Sequence, residues 1–299
     1  MERKSLHRII ALIMVTIVST LMGLVQTGQA ASRHIEVVSS LDFYAETAQA
    51  VLGTQGTATA IINSPSIDAE DFEPTTRTAR QVADADVVIE SGLGYDDWLH
   101  KVVAANDQQN VTINVGERLL HRKVGDNPHV WYAPKTMNRL TDALVQRFSK
   151  LQPRNKQLFA KNAQRYLATL KPWQDQVAAI KAQAQGKKVA VSEPVMNDTL
   201  QAAGLRVTND HFARAVEEGT DPSPADIAHL TKALKQHRIA VWVVNVQNSQ
   251  RVVDDMTATA RKAGVPVIKV TETLPAHQTY SQWMTKQTTA LQQALNKNR

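Results

Sequence analysis

Side chains that commonly bind metal ions follow apolar runs that are predicted to be β-strands. His129 lies in the loop after the run NVTINV, Glu193 directly follows KKVAVS, and Glu272 directly follows VPVIKVT. The run ATAIIN is followed by a loop rich in carboxylates, namely Asp68, Glu70, Asp71 and Glu73. In open α/β sheets, ligands bind beyond the carboxyl ends of the strands. One imidazole and three carboxylates could therefore meet around a divalent cation.

Each of these residues has a simpler explanation when it is taken alone. Acidic residues are common at the starts of loops, where they often cap helices, and a lone histidine in a loop is usually a surface residue. The group as a whole favours a binding site, because two of its members come from each half of the chain and all of them follow strands. Carboxylates that face one another repel strongly unless a cation lies between them.

Strand-like and helix-like segments alternate in two arrays. Continuous runs of Val and Ile between helical segments are typical of a parallel sheet that is covered on both faces. We therefore predict an α/β fold with two lobes, each a mostly parallel sheet flanked by helices, joined by one long connecting helix. The predicted divisions are an export segment at residues 1–30, a first lobe at 31–152, a linker helix at 153–186 and a second lobe at 187–299.

The predicted linker has no turn signal for some thirty residues and is rich in Ala, Gln, Lys and Leu. A single helix of this length would extend about 45 Å at 1.5 Å per residue. Pro172 lies inside it, and proline removes a backbone donor from a helix interior. We expect Pro172 to kink the helix or to begin a second one. In the second lobe, Ser223 as N-cap and Pro224 at the first helical position mark the start of another helix.

The first thirty residues have the features of an export signal. A basic start, MERKSLHR, precedes the apolar run IIALIMVTIVSTLMGLV, and the small residues Gly28 and Ala30 stand at a cleavable position. The apolar run is about 17 residues long, at the lower limit for spanning a bilayer, so an uncleaved anchor is the alternative. In either case we expect the folded part to work outside the cytoplasm, in the periplasm or on the outer face of the cell membrane.

The composition argues against several other classes of function. The 34 basic and 28 acidic residues are spread without a basic stripe, so nucleic-acid binding gains little support. There is no cysteine, which removes disulfides, thiolate metal sites, cysteine nucleophiles and a lipid-modified N-terminal cysteine. His-Glu-x-x-His and Gly-x-Ser-x-Gly motifs are also absent. A site closed by four protein ligands suits carriage rather than catalysis, so we do not expect an enzyme.

Three segments resemble the solute-binding proteins of zinc and manganese ABC importers, and the resemblance covers nearly the whole chain after the export segment. DNPHVWYAPKTM is similar to the family's D-P-H-V-W-x-x-P run, in which the histidine binds metal. DAEDFEPTTRTARQVADADVVIESGLGYDDWL resembles its D-P-H-x-Y/F-E-P segment, with the helix and strand that follow. DPSPADIAHLTKALKQHRIAVWVVN resembles its P-S-x-x-D-I helix and next strand. The resemblance also implies two lobes joined by one long helix.

Carried over position by position, the resemblance implies a metal site of His129, Glu193, Glu272 and Glu70. Glu193 falls where the family has Glu or His, and Glu272 falls where it usually has Asp. Glu70 is the largest departure, since the family's D-P-H has a histidine there and this chain has D-A-E. An oxygen ligand could replace the nitrogen, and the acidic neighbours of Glu70 are alternative donors, namely Asp68 and Asp71. The histidine-rich loop of many zinc-importing members is missing.

The resemblance implies an exported subunit of an ABC importer that captures a divalent metal ion between its lobes and delivers it to a membrane permease. We expect a monomer that carries one ion as cargo. One imidazole with three carboxylates is an oxygen-rich shell, which favours Mn²⁺, with Zn²⁺ next and Fe²⁺ third. The alternative is an adhesin-like surface protein with the same fold and a vestigial or structural metal site.

Overall fold

A computed structural model describes residues 34–297, so the predicted export segment lies outside the described residues. The first lobe is built on a sheet of four parallel strands in the order β2-β1-β3-β4. The strands are β1 Ile35–Leu41, β2 Gly56–Ile62, β3 Val87–Glu90 and β4 Thr112–Asn114. Because all four run in the same direction, their carboxyl ends lie along one edge, as the predicted parallel sheet requires.

Three helices connect these strands, and a fourth follows the last strand. They are α1 Asp42–Leu52, α2 Thr76–Asp84, α3 Asp97–Ala105 and α4 Thr136–Leu151. Helix α1 ends at Gly53, whose φ of 60° lies in the left-handed region that glycine adopts without strain. Helix α2 begins with a capping box, in which the side chains and backbone of Thr75 and Thr78 satisfy each other.

The predicted connector is a single helix, α5 Lys156–Ala184. Pro172 lies inside it, so the alternative in which proline begins a second helix is wrong. Packing supports the helix at this point, because Trp173 is buried and its indole Nε1 donates to Thr288 Oγ1 at 3.0 Å. Helix α5 packs against α1 and α4 of the first lobe and against the last helix of the second.

The second lobe repeats the architecture with parallel strands in the order β6-β5-β7-β8. Its strands are β5 Lys188–Val191, β6 Arg206–Val207, β7 Trp242–Asn245 and β8 Val267–Val270. Its helices are α6 Asn197–Ala202, α7 Asp210–Glu217, α8 Pro224–Lys235, α9 Arg251–Lys262 and α10 Tyr280–Lys297. Helix α8 begins as predicted, with Ser223 Oγ accepting from Asp226 N at 3.1 Å. The sequence did not predict helix α7.

Apolar packing joins the two lobes below the edges where the strands end. One hydrophobic cluster includes buried residues of both sheets and of α5 and α10, and a second, smaller one fills the second lobe. At the junction the ring of Phe43 lies 5.2 Å from that of Trp131 and 5.8 Å from that of Trp283. The hydroxyl of Tyr132 also donates to the carbonyl of Thr271 at 2.5 Å. The exact limits of the lobes, at residues 152 and 186, stay a prediction.

Within residues 34–297, none of the helices combines the length and apolar character that crossing a membrane would need.

Candidate metal centre

The four predicted ligands line one cavity of about 690 Å³ between the lobes. His129 immediately precedes the short helical turn Val130–Tyr132, and Glu70 lies in the loop between β2 and α2. From the second lobe, Glu193 follows β5 and Glu272 follows β8, each within two residues of the strand end. The structure therefore brings together all four residues of the predicted set. Their role as ligands stays a prediction.

His129 is the most enclosed of the four, at 2% exposed. Its ring packs against the rings of Trp131 and Tyr95, with centroids 5.3 and 5.9 Å away. The Nε2 atom lies 3.6 Å from Oε1 of Glu272, and the Nδ1 atom lies 2.8 Å from Oδ1 of Asn127. Burial alone would lower the pKa of His129, but the surrounding carboxylates, with Glu272 foremost, outweigh burial and raise it.

Glu272 is held at the cleft by hydrogen-bond partners from both lobes. The hydroxyl of Tyr95 donates to its Oε1 at 2.6 Å, and its own backbone N–H donates to Oε1 of Gln247 at 2.6 Å. Burial would raise the pKa of Glu272, but the neighbouring His129 and the hydroxyl of Tyr95 lower it below its ordinary value. Glu272 therefore readily keeps its negative charge beside the imidazole.

Glu193 is oriented by two asparagine side chains. Asn245 Nδ2 donates to its Oε2 at 2.5 Å, and Asn248 Nδ2 donates to its Oε1 at 2.6 Å. Burial raises the pKa of Glu193, and these two hydrogen bonds only partly offset that effect. Each carboxylate oxygen keeps a further lone pair that could face an ion, because a carboxylate can accept about four hydrogen bonds.

Glu70 is accessible along the wall of the cleft. Its backbone N–H donates to Oδ1 of Asp68 at 2.9 Å, which stabilises the loop. Desolvation by the surrounding protein and the charge of Glu272 raise the pKa of Glu70 to about 7. Asp68 and Asp71 also line the cavity, so all three acidic candidates of this loop lie at the site.

Glu217 is a further titratable residue of the cleft, and sequence reasoning missed it. It is the last residue of α7, and its Oε1 lies 3.4 Å from Nδ1 of His129. This oxygen is buried and has no hydrogen-bond partner within the described part of the chain. Burial raises the pKa of Glu217, and the charge of His129 only partly counteracts it. The apolar spacing of Phe212 and Val216, four residues apart, was the signal for the helix that carries it.

The electrostatics of the cleft favour a cation. No lysine or arginine from residues 34–297 is among the residues that line the cavity, whereas the acidic side chains and one imidazole are. Within the same residues, no three histidine, aspartate or glutamate side chains stand in a geometry that would hold a metal ion. A bound ion would therefore have to draw the carboxylates closer together, and its positive charge would offset the greater repulsion between them.

Similar proteins are named for binding manganese or zinc. The chain is 23% identical over 241 residues to the manganese-binding lipoprotein MntA of Halalkalibacterium halodurans, and the match spans 78% of this chain and 77% of MntA. It is 24% identical over 213 residues to the zinc-binding lipoprotein AdcA of Streptococcus pneumoniae, which covers 65% of this chain but only 41% of that longer protein.

A solved structure shares the fold. The periplasmic zinc binding protein TroA from Treponema pallidum superposes with a TM-score of 0.71 at 16% identity, covering 88% of this chain and 99% of TroA. This likeness confirms the predicted α/β fold of two lobes joined by a long helix. Residues 37–294 match the family described as zinc-uptake complex component A, periplasmic. The chain belongs to that family, whose members are transport components rather than enzymes and work outside the cytoplasm.

Proposed function

We propose that the protein is the extracytoplasmic solute-binding subunit of an ABC importer, which captures one divalent transition-metal ion between its lobes and delivers it to a membrane permease. The observation that carries this proposal is the convergence of His129, Glu193, Glu272 and Glu70 on one cleft that no lysine or arginine of residues 34–297 lines. Family membership supports metal uptake as the general role. The export segment agrees with it, although it lies outside the described residues.

In this proposal the ligands are His129 through Nε2 and the carboxylates of Glu272, Glu193 and Glu70. Asp68 and Asp71 stay alternatives to Glu70 because they line the same cavity. We add Glu217 as a candidate, since it lines the same cavity and its buried Oε1 has no hydrogen-bond partner in the described chain. An ion bound between these groups would compensate a cluster of charges that is otherwise mutually repulsive.

We propose Mn²⁺ as the cargo ahead of Zn²⁺, with Fe²⁺ third. Carboxylates are hard ligands, and bidentate carboxylates can raise the coordination number above four, which suits Mn²⁺. The Irving–Williams order allows Zn²⁺ to bind at least as tightly, so affinity alone does not identify the cargo. A crystal structure of the Mn²⁺ form should show more than four ligand atoms. A tetrahedral site that fills with Zn²⁺ and rejects millimolar Mn²⁺ would contradict this assignment.

Elemental analysis of the purified, remetallated protein tests the function itself. We expect close to one ion per chain with Mn²⁺, Zn²⁺ or both, and far less in the His129→Ala variant. A stoichiometry near zero with manganese, zinc, iron and cobalt would contradict metal capture. That result would favour the alternative of a surface protein with a vestigial site.

A further inference from the structure

Asn127 is hydrogen-bonded to both lobes of the protein. Its Oδ1 accepts from the backbone N–H of His129 at 3.1 Å and lies 2.8 Å from Nδ1 of the same residue. Its Nδ2 donates to the carbonyl of Pro194 at 2.9 Å. These contacts determine the orientation of the amide, because the flipped amide would place N–H against N–H and oxygen against oxygen. Asn127 therefore uses its acceptor on the histidine and its donor on the second lobe.

The hydrogen bond to Oδ1 determines which nitrogen of His129 carries a proton. An amide oxygen can only accept, so the Nδ1 atom must be the donor. In the neutral ring, Nε2 then has the free lone pair, and it is the nitrogen that lies 3.6 Å from Glu272 in the cleft. Glu217 is farther from Nδ1, at 3.4 Å against 2.8 Å for Asn127, and its Oε1 makes no hydrogen bond within residues 34–297.

The other end of the amide connects His129 to Glu193. Pro194 directly follows Glu193, so the bond from Asn127 Nδ2 reaches the backbone next to a proposed ligand of the opposite lobe. A second contact supports the same loop. Arg122 Nη1 donates to the carbonyl of Asn127 at 3.4 Å, while its Nη2 pairs with Asp198 on α6 at 2.6 Å. The loop of His129 is thus attached to the second lobe at two neighbouring points.

We propose that Asn127 is a positioning residue for the cargo ion, which it serves by holding His129 in its Nδ1–H tautomer and by fixing the distance between His129 and Glu193. This inference rests on the proposed function. Partners that orient a metal-binding histidine through its other nitrogen are common, and their loss typically costs 10- to 100-fold in metal affinity. The run that this segment resembles has Asp before the proline, and an ionised Asp would accept but could not donate to Pro194. Asn127 does both.

Two substitutions separate these two parts of the role. Asn127→Ala removes both contacts, and we expect metal affinity to fall about 10- to 100-fold. Asn127→Asp keeps the acceptor for Nδ1–H but loses the donor to Pro194, so we expect a smaller loss. Asn138→Ala is the matched control, because Asn138 is also a half-buried asparagine with a side-chain hydrogen bond, to Gln174, and does not line the cleft. It should bind metal as the wild type does.

The tautomer is measured directly by ¹⁵N NMR of the imidazole in metal-free protein, at a pH high enough for the ring to be neutral. We expect the Nδ1–H form in the wild type and in Asn127→Asp, and a mixture or the Nε2–H form in Asn127→Ala. Competition titration with Zn²⁺ gives the affinities of the same samples. The melting temperature of the metal-free form shows whether each variant still folds.

Wild-type affinity together with an unchanged tautomer in folded Asn127→Ala would overturn the inference. So would an Asn127→Asp variant that loses the Nδ1–H form. A failure of the proposed function looks different, because the wild-type protein itself would then bind no Zn²⁺ or Mn²⁺. Binding by the wild type with no effect of Asn127→Ala would refute the positioning role alone.

Discussion

The hydroxyl of Tyr95 donates to Oε1 of Glu272 at 2.6 Å, which joins the two lobes beside the proposed metal site. Tyr95 is buried, at 1% exposed, and its ring also packs against that of Trp131. Hydrogen bonds to charged groups contribute more to stability than neutral ones. Tyr95 therefore helps to hold Glu272 at the cleft.

Tyr95→Phe should lower the free energy of unfolding of the metal-free protein by about 1.5–3 kcal/mol, because it removes a donor to a charged carboxylate. Tyr44→Phe is the matched control. The hydroxyl of Tyr44 is 3.1 Å from that of Ser91 in a neutral pair within one lobe, so its removal should cost about 1 kcal/mol. Urea unfolding in the presence of a chelator measures both values. Equal losses would contradict a charged Glu272 at this contact.

Glu217→Gln should weaken metal binding while leaving the fold intact. The substitution keeps the size of the side chain but removes a charge beside His129 and a candidate ligand oxygen. Isothermal titration with Mn²⁺ should show at least about a tenfold loss of affinity, which corresponds to 1.4 kcal/mol.

The matched control for Glu217 is Glu36→Gln. Glu36 also lies beside a histidine, with Oε1 3.6 Å from Nε2 of His34, but this pair is exposed near the amino end of β1 and does not line the cleft. Its substitution should leave the affinity unchanged. If both variants bind Mn²⁺ as the wild type does, Glu217 is not a ligand.

Metal binding should stabilise the native protein, because an ion bound only by the folded state adds RT ln(1 + [L]/Kd), about 4 kcal/mol at a thousandfold excess over Kd. His129→Ala should lose most of this gain in thermal unfolding with and without Mn²⁺. The control is His121→Asn, since His121 has φ of 58°, a left-handed conformation that asparagine tolerates well. A similar loss in both variants would show that the wrong histidine has been assigned.

Glu46→Gln should remove a loss of stability that develops as the pH rises from about 4.5 to about 7. Burial raises the pKa of Glu46 to about 7, and the nearby Asp42 adds to that shift. Between pH 4.5 and 7 the folded protein keeps a proton that the unfolded chain loses, so the free energy of unfolding falls as the pH rises. Above pH 7 Glu46 is ionised in the folded protein as well. The cost of burying this charge then lowers the free energy of unfolding by up to about 3 kcal/mol.

The glutamine variant removes this titration. It can still accept from Tyr280 N, which donates to Glu46 Oε2 at 2.9 Å. Relative to wild type, the variant should therefore gain more stability at pH 8 than at pH 5, in urea unfolding of metal-free protein. The same difference at both pH values would mean that Glu46 does not keep its proton in the folded state.

The sequence by itself was enough to predict the strands, the connector and four residues of the cleft. Continuous Val and Ile runs between helices indicate parallel, covered strands, and residues placed directly after such strands converge because parallel strands end along one edge. His129, Glu193 and Glu272 could be chosen on this local evidence. The start of α8 could also be predicted from the local sequence, because a Ser N-cap and a Pro at the first helical position act within one turn.

Only the tertiary structure decided which distant groups face those residues. Helix α7 is short and was not recognised, so Glu217 could not be assigned to the cleft, although it lies 3.4 Å from His129. The continuation of α5 through Pro172 also depends on packing, because buried contacts around Trp173 support the helix that a proline weakens. The hydrogen bonds of Tyr95 to Glu272 and of Asn127 to Pro194 join residues far apart in the chain. Such pairs follow from how two separate sheets pack together, which local patterns in a sequence do not encode.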